Sequence, residues 1–132
     1  MKCLFVRPPF AGYIVDGVKF IEYRTRRTLL RGKIGIIESG SGTVIGDAIL
    51  WSCDLSGKHE GFYSWYLTNA RRYARPIPFK HKKGAMVWIN LDIDPEQQAI
   101  APHLNIKELI ESFNAYEKDL DAFFAERRKV KP

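Results

Sequence analysis

Eighteen residues, Arg7 to Arg24 (RPPFAGYIVDGVKFIEYR), constrain this chain most, because they contain a helix start, a helix stop and a turn into a strand. Pro8 and Pro9 can open a helix at no hydrogen-bond cost, since first-turn N–H groups have no intrahelical partner, and Gly17 can close it in a left-handed cap. The predicted helix is short, Pro9 to Asp16. Beyond it, Phe20 to Thr25 alternates as a strand, with Glu22 and Arg24 on one face and Ile21 and Tyr23 on the other. Lys19, Glu22 and Arg24 are thereby gathered at one chain corner, which reads as a site.

The remaining apolar pattern is that of a sheet followed by one long helix. Residues 2 to 6, Gly32 to Ser39, Thr43 to Leu55 with a bend at Gly46, and Gly84 to Ile93 read as strands, and the Ser39-Gly40-Ser41-Gly42 run as a break. Residues 56 to 83 are polar, aromatic and basic, which predicts a short helical turn and then an extended Pro76-x-Pro78 segment. From Asn105 onward, Ile106, Leu109, Ile110, Phe113, Tyr116, Leu120, Phe123 and Phe124 recur at intervals of three and four, the stripe of an amphipathic helix of about 24 residues. Asn105 and Glu108 have capping-box spacing. The expected fold class is α+β: a small, partly open β-barrel over residues 1–95 with flanking short helices, then a helical extension over 96–132. The stripe is expected to pack on the barrel or on a partner, a homodimer through this helix being one option.

Several function classes are disfavoured. Cys3 and Cys53 are the only cysteines, and His59, His81 and His103 are scattered, so neither a disulfide framework nor a metal-ligand motif is visible, and no cofactor is implied. No apolar run approaches a membrane span, and the N-terminus is interrupted too early by Arg7 and Pro8 to read as a signal sequence, which together predict a cytoplasmic, non-membrane protein. The loop from Glu38 to Thr43 could hold a phosphate or a base edge, but it lacks a P-loop's Gly-Lys-Ser/Thr ending; a hairpin connection is the plainer reading.

The net charge is +6, and its distribution is uneven. Residues 1 to 88 hold 15 Lys and Arg against 6 Asp and Glu, whereas residues 89 to 132 hold 6 against 9. Arg24, Arg26, Arg27, Arg31 and Lys33 form one basic cluster, Arg71, Arg72 and Arg75 a second, and Lys80, Lys82 and Lys83 a third. Interleaved with aromatic residues, these are the components of single-stranded nucleic-acid binding, in which cations hold phosphates and rings stack on bases. Trp65 and Tyr66 are the expected stacking surfaces, and Trp51 and Trp88 are assigned to the core. Arg127, Arg128 and Lys129 complement the dipole at the end of the helix.

The two prolines and an aromatic followed by Gly17-x-Lys19-x-x-Glu22-x-Arg24, the Arg31 to Ile36 block, Val44 to Ala48, and the stretch from Trp65-x-Leu67-x-Asn69 through Pro76-Ile77-Pro78 to Trp88 together resemble the activating signal cointegrator homology (ASCH) domain. That family is a branch of the PUA-like superfamily, and the resemblance covers residues 2 to 92. It implies a cleft between barrel and helices lined by Lys19, Glu22 and Arg24, with Ser39 reaching it. It also implies a choice of activities: binding of RNA or a modified nucleoside, hydrolysis of an N4-acylcytidine or of single-stranded RNA, or a coregulator-type protein contact. In the amidohydrolase branch a threonine works with the lysine, and Glu22 stands at that threonine's position. A carboxylate cannot take over a hydroxyl nucleophile's acyl chemistry, so an enzyme here would need Glu22 as a general base of raised pKa, with Lys19 stabilising an oxyanion. The expected binding set is Lys19, Glu22, Arg24, Arg26, Arg27, Ser39, Trp65, Tyr66, Arg71 and Arg72.

Overall fold

A computed structural model describes residues 1–81, 84 and 86–130, those at 129 and 130 by backbone only. The elements run β1 (Lys2–Val6), α1 (Phe10–Val15), β2 (Ile21–Arg24), β3 (Gly32–Glu38), β4 (Thr43–Leu55), β5 (Tyr63–Pro78), β6 (Trp88–Asn90), a 3-10 turn at Pro95–Gln97, and α2 (Ile106–Val130). They form one mixed six-stranded sheet in the order β2-β5-β4-β3-β1-β6, with two helices, an α+β fold. Only β1 and β3 are parallel, so α1 and β2 lie in the crossover between them.

The sheet is not a closed barrel, but it curls. The β3–β4 and β4–β5 ladders shift register at several points, the mark of bulges, and each bulge bends its strand and increases local twist. The curl brings the two ends of the sheet together through side chains. Trp65 of β5 stacks on Trp88 of β6 at 5.9 Å between ring centroids, and the Arg24 guanidinium of β2 donates to the Phe5 carbonyl of β1 at 2.6 Å.

Inside the curl, Leu4, Ile34, Ile36, Ala48 and Leu50 of the sheet meet Phe10, Ile14 and Val15 of α1. The helix approaches β4 closely at Gly46, where a Cβ would stand 2.1 Å from the Arg71 carbonyl oxygen and 2.6 Å from a Val15 methyl. A second cluster, Cys3, Phe5, Ile37, Val44 and Tyr73, covers the opposite face.

Helix α1 is one residue shorter at each end than its prolines and glycine predict. Its stop is as expected: Gly17 sits at φ +75°, and the N–H groups of Val18 and Lys19 both donate to the Tyr13 carbonyl, at 2.9 and 3.0 Å. Two expectations are corrected. Residues 63–78 hold no helical turn, because they pair with β4 along almost its whole length; cross-strand pairing overrides a polar local sequence. The last strand is confined to Trp88–Asn90, where it pairs with β1.

Helix α2 has 25 residues, opened by a reciprocal capping box: the Glu108 N–H donates to the Asn105 side chain at 2.8 Å, and the Asn105 N–H donates to the Glu108 carboxylate at 3.1 Å. Asn105→Ala should cost about 1 kcal/mol, read as a lower urea midpoint at unchanged m-value. The apolar stripe divides in two. Tyr116, Leu120, Phe123 and Phe124 pack against the body of the protein, whereas Ile106, Leu109, Ile110 and Phe113 stay exposed, the last three beside Phe20. The Tyr13 hydroxyl donates to Asp119 at 2.6 Å, fixing the register of the packed half. Among the described residues no helix is long and apolar enough to cross a membrane.

Candidate functional site

The corner read from the sequence forms the floor of a cavity of about 260 Å³, between the curled sheet, α1 and the packed half of α2. The α1 cap fixes the backbone of Lys19, and pairing of Glu22 with Trp65 across β2 and β5 fixes that of Glu22. Lys19 is 3% exposed and Glu22 6%. The Lys19 ammonium lies 2.9 Å from Glu22 Oε1, and the Arg24 guanidinium lies 2.7 Å from Glu22 Oε2, so each carboxylate oxygen has its own cation. Lys19 Nζ also sits 4.6 Å from the centre of the Phe10 ring, in cation–π range.

Burial pushes the Glu22 carboxyl up, but the charges and hydrogen bonds of Lys19 and Arg24 outweigh it and hold the group below its ordinary value. Glu22 is thus an ionised anchor that orients two cations. Ser39, at the end of β3, reaches the same cavity, and its N–H donates to the Val6 carbonyl at 2.9 Å.

Among the cavity residues outside the expected set are Arg7, Phe10, Phe123 and Arg127. Phe123 and Arg127 are four apart on α2, a spacing that puts them on one helix face. That spacing was the available signal, and it yields a site only once the helix is seen to fold back over Lys19.

The other expected residues lie elsewhere. Trp65, expected to stack on a base, is 3% exposed; its ring covers Trp88 and its indole N–H donates to the Arg26 carbonyl at 2.8 Å, so it has no free face. Tyr66 is outside the cavity, its hydroxyl donating to Asp54 and its ring against Trp51, which is 57% exposed and not in the core. Arg71 is held by buried Asp47 through two hydrogen bonds, of 2.9 and 2.6 Å, and Arg72 by Asp16 through bonds of 2.7 and 3.0 Å. Arg26 and Arg27 are exposed on the segment after β2, beyond the cavity lining. Lys33 pairs with Glu96, and Lys82, Lys83 and the Lys129 side chain lie outside the described residues.

The Glu38 to Thr43 loop satisfies itself. The Ser41 hydroxyl donates to the Glu38 carbonyl and accepts from the Thr43 N–H, as a hairpin connection would. His59 stacks flat on Phe124 at 3.6 Å. Among the described residues no three His, Cys, Asp or Glu side chains are grouped to hold a metal.

The class defined by this fold and site is a curled, open α+β sheet enclosing a small cationic cleft. No protein-family model and no curated protein matches the chain. Among solved structures, it is similar to crystal structures of ASCH from Zymomonas mobilis. One is 21% identical, covers 86% of this chain and 93% of that one, and has a TM-score of 0.49. Two mutant forms of the same protein match at 22% and 24% identity, TM-scores of 0.48 and 0.47, each over 83% of this chain and over 94% and 92% of theirs.

Proposed function

We propose that the Lys19-Glu22-Arg24 cleft binds a nucleoside, free or as the unpaired base of a single-stranded RNA. The observation that carries the reading is the buried triad itself. Two cations share one ionised carboxylate between aromatic walls, in a cavity just below the roughly 300 Å³ lower bound of pockets for drug-sized ligands. Phe10 and Phe123 supply apolar walls to the cavity, and the lone pairs left on Glu22 can accept from an exocyclic amine, the edge that distinguishes cytosine or adenine.

The nucleoside form is favoured over an extended RNA track because Arg26, Arg27, Arg71 and Arg72 do not line the cleft, and Arg71 and Arg72 are spent on Asp47 and Asp16. Binding is favoured over hydrolysis because general-base catalysis by Glu22 asks for a raised pKa, and Lys19 and Arg24 hold it low.

Calorimetric titration with cytidine, N4-acetylcytidine and adenosine tests the reading. One of them should bind saturably at one site and lose about tenfold or more in affinity in folded Lys19→Ala, since a hydrogen bond to a charged group contributes at least that factor. Failure of all three to bind, alongside an RNA oligonucleotide whose binding ignores Lys19, would overturn it.

A further inference from the structure

We infer that the mouth of this cleft is a phosphate subsite made by Arg7 and Arg127, so that the preferred ligand is a nucleotide and not a bare nucleoside. The inference rests on the nucleoside reading above and specifies it.

Arg7 precedes α1 and Arg127 lies near the end of α2, 120 positions away, yet both line the one cavity whose floor is Lys19 and Glu22. Both are exposed, whereas the floor is buried, so the guanidiniums stand at the solvent end. Each also lies over the ring of Phe123, Arg127 at 4.3 Å and Arg7 at 5.7 Å from its centre, so one aromatic side chain holds the pair together.

Among the described residues their charge is unspent. Three arginines of the sheet, by contrast, are held by carboxylates: Arg24 by Glu22, Arg71 by Asp47 and Arg72 by Asp16. Neither Arg7 nor Arg127 makes an ion pair with a described residue, and the only carboxylate among the described residues lining the cavity, Glu22, is already shared by Lys19 and Arg24. Four cations against one carboxylate leave the cleft in want of an anion. Guanidinium forks match phosphate oxygens bidentately. A base and sugar reaching toward Lys19 would leave a phosphate ester near the exposed pair.

The test is calorimetry of the full chain with cytidine, cytidine 5′-monophosphate, cytidine 3′-monophosphate and the dinucleotide CpC, in wild type and in Arg7→Gln/Arg127→Gln. A phosphorylated ligand should bind wild type about tenfold or more tighter than cytidine, and the ratio should fall toward one in the double variant. Arg7→Lys/Arg127→Lys should restore part of it, since charge returns without the fork. Whether a monophosphate or CpC binds tighter tells a free nucleotide from a chain, and either supports the subsite. Equal affinity for cytidine and every phosphorylated ligand in wild type would overturn the subsite and leave nucleoside binding intact. A phosphate preference that survives in the double variant would likewise overturn it, and binding of none of the four, with adenosine, adenosine 5′-monophosphate and N4-acetylcytidine failing too, would remove the nucleoside reading as well.

Discussion

Glu22→Gln is expected to destabilise the protein by about 3 to 5 kcal/mol while changing its volume hardly at all, because it leaves Lys19 buried without its counter-charge and facing Arg24. Lys19→Met should cost less, since Glu22 keeps Arg24. Urea denaturation of the two variants checks the order, and a loss below about 1 kcal/mol for Glu22→Gln would show that the triad does not hold the corner, as surface pairs usually do not. A pH signature accompanies the effect. The folded-state pKa of Glu22 is depressed below its ordinary 4.5, so the unfolded chain takes up the proton first. The stabilisation is therefore complete above that value and is lost as pH falls through the folded pKa. Glu22→Gln should flatten this acid limb of the stability profile.

Asp47→Ala is the second large effect, about 3 kcal/mol or more. The Asp47 side chain is fully buried on β4, accepts two hydrogen bonds from Arg71 and accepts a third, of 2.7 Å, from the Tyr73 hydroxyl. Alanine would leave the buried Tyr73 O–H without an acceptor and would free Arg71, which also holds the Pro95 carbonyl beneath the 3-10 turn. Asp47→Asn keeps an acceptor for Tyr73 and should cost less. The exposed pair Lys33–Glu96 offers the contrast, since its removal should move stability by no more than about 1 kcal/mol. Equal midpoints for Asp47→Ala and wild type would contradict the burial argument.

What could be read from the sequence followed from local rules. The short helix between Pro9 and Gly17, the alternation at Glu22 and Arg24, the strand Thr43 to Leu55 and the Asn105–Glu108 cap each depend on neighbouring residues, and each is present. What could not be read depends on distant pairing. Residues 63–78 look polar because one side of β5 faces water, and pairing with β4 and β2 makes them a strand. The basic clusters looked alike in sequence, yet Asp47 and Asp16, each more than twenty positions away, remove Arg71 and Arg72 from the surface chemistry. The α2 stripe was plain, but which half of it packs is set by Phe10, Tyr13 and Tyr23.

That half of α2 is also a wall of the cleft, through Leu120, Phe123 and Arg127. Any occupant touching this wall is linked to the docking of the helix, because a ligand that contacts only the docked state must shift the helix's local opening equilibrium toward closure. Amide exchange over residues 116–124 should therefore slow as the cleft fills, by a factor that tracks ligand concentration over Kd. One helix would then act as the molecule's own occupancy gauge.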